Sequence, residues 1–112
     1  MRYFDLHCDT MTECALGDIP LRRNELHVSL DRVKDWEHYI QCYAVWIPDE
    51  LRGEDAWNRF CQVADHFSKE VERNRDVLQS LQKKGDLAQL ETCGFHGAIL
   101  TVESAAAFGG KL

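Results

Sequence analysis

From Glu54 to about Arg75 the apolar residues Trp57, Phe60, Cys61, Ala64, Phe67 and Val71 recur every three or four positions. That spacing puts them on one face of an amphipathic helix. Glu54 and Asp55 in its first turn, and Arg73 and Arg75 near its end, complement the helix dipole. An aromatic face of this kind must be covered, and its partners flank it in the sequence. On one side His38 to Pro48 is rich in Tyr, Ile, Val and Trp and reads as a largely buried strand ending at Pro48. On the other, Gly97-Ala98-Ile99-Leu100-Thr101-Val102-Glu103 is an apolar strand with a carboxylate at its carboxyl end. His66 lies off the helical stripe and reads as a solvated residue.

The rest of the chain extends this alternation. Arg2 to Cys8 reads as a first strand, with Phe4, Leu6 and Cys8 on one face and Asp5, His7 and Asp9 on the other. A long connection follows, with a loop marked by Gly17, Asp18 and Pro20. Ser29 is placed to cap a short helix whose apolar side is Leu30, Val33 and Trp36. After Asn74 two readings are open: a continued helix through Leu78 and Leu81, or a short strand near Val77–Leu81, a break at Gly85 and a helix over Asp86–Cys93. Gly94 is placed to stop such a helix in the left-handed conformation. Strand, crossover, strand, long helix, strand predicts an α/β fold with a parallel sheet and right-handed crossovers.

Composition narrows the classes. The 112 residues, 45% hydrophobic and 29% charged, suit a single globular domain over 1–112. A net charge of -6 without a Lys/Arg cluster argues against a nucleic-acid or anionic-membrane surface. Cys8, Cys14, Cys42, Cys61 and Cys93 are odd in number and contain no Cys-x-x-Cys pair, so reduced, partly buried thiols are expected. With no signal-peptide pattern and no apolar run near the ~20 residues that span a bilayer, a cytoplasmic protein is expected.

In parallel sheets function collects at the carboxyl ends of the strands. His7, Asp9 and Glu103 all fall there, and an imidazole nitrogen with carboxylate oxygens suits a divalent metal such as zinc. Taken alone, His-x-Asp reads more readily as a hydrogen-bonded histidine beside a loop-capping aspartate. Three such ligands converging on one rim are a constellation that no one of them makes.

Asp5-Leu6-His7-Cys8-Asp9-Thr10, then Gln41-Cys42-Tyr43-Ala44-Val45-Trp46-Ile47-Pro48, then Ile99-Leu100-Thr101-Val102-Glu103 resemble the amino-terminal third of the membrane (renal) dipeptidase family. Its members are zinc-dependent peptidases on an amidohydrolase-type (β/α)₈ barrel, and the three segments occur in the family's order. The resemblance implies that His7 and Asp9 hold one of two zinc ions and that Glu103 bridges both. It implies a dipeptide substrate attacked by a metal-activated hydroxide, and it favours the strand near Leu78–Leu81. Two departures stand out. Ser104-Ala105-Ala106-Ala107 follows Glu103 where the family has Gly-Gly, with Gly109-Gly110 coming later. The family's ligands to the second metal, its catalytic aspartate and its substrate-binding arginine belong to later strands, and His27, His38, His66 and His96 do not sit at matching places.

The eight-stranded barrel needs about 250 residues. An incomplete portion leaves sheet edges and an inner face uncovered, so the isolated chain is expected to be inactive and to form a homo-oligomer. The competing reading is a non-catalytic metal-binding or self-associating module built from the same third of a barrel, or a plain α/β scaffold.

Overall fold

The computed structural model describes residues 2–111. Four strands, β1 (Arg2–Cys8), β2 (His38–Val45), β3 (Leu78–Ser80) and β4 (His96–Val102), form one sheet in the order β1-β2-β4-β3, every pairing parallel. Between them run α1 (Thr10–Gly17), the single-turn α2 (Leu30–Val33), α3 (Gly53–Arg73) and α4 (Lys84–Cys93), and a 3-10 turn spans Ala105–Phe108. The strands and the long helix fall close to where alternation and periodicity put them. The fold is the expected α/β class, consistent with a portion of a (β/α)₈ barrel.

The core is a sheet face covered by α1 and α3. Tyr39, Tyr43 and Val45 of β2 meet Val63 and Phe67 of α3 and Met11 and Cys14 of α1, all buried. The buried line along α3 is Ala56, Val63, Phe67 and Glu70, turned slightly from the expected stripe, whose Trp57, Phe60, Cys61 and Ala64 flank it half-buried. Glu70 inside that line was not foreseen. Its carboxylate accepts from the Leu21 N–H (3.1 Å), Asn74 Nδ2 (3.3 Å) and Arg73 (2.9 Å), so it pins the connection after α1 to the helix. His66 is a correction: its ring is nearly buried, 3.6 Å from the same carboxylate, rather than solvated.

Several local expectations shift. The connection after β1 opens with α1, which ends when Asp18 adopts a left-handed conformation (φ 50°) and donates its N–H to the Cys14 carbonyl. Ser29 does precede α2, but its hydroxyl donates to the Arg22 carbonyl and does not cap the helix. Helix α4 begins at Lys84, so Gly85 lies inside its first turn instead of breaking the chain, and Gly94 ends it with φ 71°.

Strand order departs from chain order because β4 inserts between β2 and β3. The steps from β1 to β2 and on to β3 run one way across the sheet, and the step to β4 runs back. Right-handed crossovers then put α4 on the face opposite α3. Leu87 and Leu90 accordingly share a groove with Phe4 and Ile40. Gly97 permits the close fit of this layer, since a Cβ there would meet Leu81 Cδ1 at 2.7 Å. Among the described residues the outer edge of β1 is unpaired, with Phe4 54% and Leu6 73% exposed.

Candidate metal centre

The centre is made possible by one irregularity in β1. Asp5 pairs with Gln41 but Cys8 pairs with Tyr43, so β1 spends three steps where β2 spends two. The extra residue reverses side-chain parity from that point. Cys8 therefore faces the core beside Tyr43, on the side opposite Phe4 and Ile40, and the simple alternation expected for Phe4, Leu6 and Cys8 is broken. His7 moves the other way, onto the face away from α3. Without the bulge it would face the core. The Asp5 carboxylate accepts the His7 N–H at 3.0 Å, satisfying a donor that the bulge takes out of the ladder.

Glu103 reaches the same face by regular alternation. Leu100 and Val102 pack on the core opposite Tyr43 and Val45, so Glu103 points away from it, with its N–H held by the Val45 carbonyl at 3.2 Å. Asp9 stands at the amino-terminal cap position of α1, yet its side chain makes no capping hydrogen bond, and so the loop-capping alternative fails. The result is a tight cluster at the carboxyl ends of β1 and β4. His7 Nε2 lies 3.4 Å from Asp9 Oδ1 and 3.8 Å from Glu103 Oε1, and one ligand atom from each of the three lies within 4.8 Å of the others.

Donor atoms around a tetrahedral zinc, each about 2 Å from the ion, stand about 3.3 Å apart. The His7–Asp9 separation already has that value, and the others need shifts that half-exposed side chains make easily. Among the described residues neither carboxylate is paired with a Lys or Arg. Two anions at this spacing without a cation are a donor set that fits a divalent metal. Cys8, between two candidate ligands in sequence, is excluded from the set: it faces the core, and burial pushes its thiol up to about 11.

The loop after Glu103 is held by its own chemistry. Ser104 Oγ accepts the Ala106 N–H, and the 3-10 turn ends at Gly109 with φ 58°. A Cβ at Gly109 would meet the Gly53 carbonyl oxygen at 2.6 Å, and Phe108 packs on Phe60, so the loop docks on the start of α3.

The chain matches, over residues 1–112, the family described as Membrane dipeptidase (Peptidase family M19). It belongs to that family. No curated protein matches it. Membership places the chain in a dipeptidase-type hydrolase family that is zinc-dependent in general. Among the described residues no helix is long and apolar enough to cross a membrane. All five cysteines are free thiols.

The other histidines stay away from the centre. His96 begins β4 and is buried against the Tyr39 ring, about 20 Å of strand from Glu103. His38 begins β2 at the same far end, and His27 lies exposed in the connection before α2. Sequence reasoning missed the cavity beside the cluster, lined by Asp9, Thr12, Glu13, Leu16, Trp46 and Glu103. Its signal was available: residues 9, 12, 13 and 16 are one face of a helix.

Proposed function

We propose that this chain supplies the first metal-binding portion of a zinc dipeptidase. What carries the reading is the convergence of His7 Nε2, Asp9 Oδ1 and Glu103 Oε1, from two strands not adjacent in the sheet, on one rim. His7 presents a ring nitrogen, and the two carboxylates offset the charge of a divalent cation. A zinc ion held there supplies Lewis acidity, lowering the pKa of water and polarising a peptide carbonyl, worth several kcal/mol of transition-state stabilisation. By the family resemblance Glu103 would share a second ion with ligands that belong to later strands. The isolated chain is accordingly a metal binder with little peptidase activity of its own.

Zinc calorimetry tests this. Saturable binding at pH 7 that is lost when His7→Ala and Glu103→Ala are combined supports the reading; zinc affinity unchanged by the pair refutes it. Restoring the missing barrel strands should bring dipeptide hydrolysis, and its continued absence would support a non-catalytic module instead.

One observation favours self-association as well. The outer edge of β1 is unpaired and carries exposed Tyr3, Phe4 and Leu6. Such an edge is a template for another strand. We expect the isolated chain to be dimeric or larger at tens of micromolar in light scattering, and a clean monomer would remove that expectation.

A further inference from the structure

The cavity of about 370 Å³ beside the metal centre has a lining that the centre itself does not explain. One wall is the face of α1 made by Thr12, Glu13 and Leu16, and the other is Trp46 at the end of β2. Leu16 and Trp46 are each about half exposed, so the cavity offers an aliphatic and an indole surface to whatever enters. Every ionisable group in the lining is acidic: Asp9, Glu13 and Glu103. Asp9 and Glu103 belong to the metal cluster. Glu13 has no ion-pair partner among the described residues and remains as the cavity's own charge.

We propose that this cavity is a specificity pocket for a dipeptide side chain that ends in a cation, of the lysine or arginine type. The inference rests on the dipeptidase reading for the presence of a peptide, but its chemistry is read from the cavity. An aliphatic stem fits against Leu16, an ammonium or guanidinium is attracted to the face of Trp46, and Glu13 pairs with the charge. An acidic side chain would meet the Glu13 carboxylate, the cavity's own charge. A dipeptide's own α-ammonium is a second source of positive charge, and distance argues against it. Glu13 is one helical turn beyond Asp9, about 6 Å along the axis. An α-ammonium sits two bonds from the peptide carbonyl, whereas a lysine ammonium reaches that far.

The test separates pocket from metal. In the Asp9→Asn/Glu103→Gln variant the cluster has lost both carboxylates and no zinc is needed, so Glu13 is the only ionisable group left in the lining. Titrations with Gly-Lys, Gly-Gly and Gly-Glu are followed by amide and indole NMR signals. Gly-Lys should shift the Glu13 and Leu16 amides and the Trp46 indole N–H saturably. Gly-Gly should bind at least fivefold more weakly, Gly-Glu should leave these signals unmoved, and adding Glu13→Gln should weaken Gly-Lys about fivefold. Equal binding of Gly-Lys and Gly-Gly would assign the charge to the α-ammonium and overturn the proposal, as would indifference to Glu13→Gln. Zinc calorimetry on the unmodified chain reports independently. Zinc binding without a Gly-Lys preference sinks the pocket alone, and a Gly-Lys preference without zinc binding sinks the metal reading alone.

Discussion

Two groups of carboxylates in this small fold have opposite surroundings. Glu70 is 1% exposed and holds the Leu21 N–H, the Asn74 amide and the Arg73 guanidinium, with the His66 ring beside it. Asp9 and Glu103 are 53% and 42% exposed and have only the His7 ring between them. A carboxylate whose lone pairs are already taken by protein donors has no capacity left for a ligand. It ties elements together, and removing it orphans a buried donor such as the Leu21 N–H. A pair of carboxylates facing each other without donors contributes nothing to folding and is slightly repulsive, a cost that a bound cation would reverse. Satisfaction by the protein's own donors, more than burial alone, separates the structural acid from the candidate ligands.

The largest effect should come from the satisfied member. Glu70→Leu leaves the Leu21 N–H without its acceptor, leaves the Asn74 amide only the Glu70 backbone carbonyl, and frees the loop after α1 from α3. We expect a loss of about 3 kcal/mol in urea unfolding. A loss below about 1 kcal/mol would show that Glu70 is a bystander and would dissolve the contrast.

This is also where sequence reading stopped. Hydrophobic periodicity located α3, β2 and β4, because those elements bury a full apolar face and the pattern follows the burial. Glu70 was invisible for the same reason: it occupies a position of the apolar face, and only the loop carrying Leu21, 49 residues earlier, explains why a charge is tolerated. The candidate ligands His7, Asp9 and Glu103 were legible as residue types at strand ends. Strict alternation would nevertheless have put His7 and Glu103 on opposite faces. What reconciles them is a single inserted residue in β1, which no periodicity displays. The strand order β1-β2-β4-β3 was equally hidden, since chain order says nothing about which neighbour a short strand such as Leu78–Ser80 selects.

The bulge gives the next effect in size. Asp5→Ala removes the acceptor of the His7 N–H and favours a regular register, which would carry the imidazole toward the core. Zinc affinity should fall about tenfold, in the range seen when a group that orients a ligand is lost. Asp5→Asn keeps an acceptor oxygen and should restore most of the affinity. Equal zinc binding in all three proteins would mean that the bulge holds without Asp5.

A smaller effect follows from His96, another buried polar group, and it falls on the fold and not on the centre. Burial lowers its pKa, with a further lowering by His38, and the backbone carbonyls of Val33 and Lys34, as acceptors, oppose this. In the unfolded chain the ring titrates near 6.5. Between the depressed folded value and 6.5 the unfolded chain binds more protons. The His96 contribution is therefore complete above pH 6.5 and is lost as pH falls through the folded value. Urea midpoints should drop on acidification below 6.5, and His96→Gln should flatten that part of the profile. At the alkaline end Cys8 and Cys14, raised by burial from 9.0 to about 11 and about 12, work in the opposite sense: stability is full below 9 and declines as pH rises above it.

The smallest effect is the most diagnostic of the contrast. Glu103→Gln and Asp9→Asn each remove a charge from the rim while preserving shape, and neither side chain holds a protein donor that would be orphaned. Exposed charges of this kind rarely move stability by more than about 0.5 kcal/mol, and relief of the Asp9–Glu103 repulsion pushes the sign toward stabilisation. In the metal-free chain both variants should therefore unfold at or slightly above the parent's urea midpoint. With zinc present the ranking should invert. The parent gains stability in proportion to the logarithm of zinc concentration over its dissociation constant, and the variants gain much less because each has lost an anionic ligand. A parent and variants that respond to zinc identically would show that ion binding lies elsewhere. A variant that unfolds much earlier without zinc would show that the rim acid, like Glu70, is part of the scaffold.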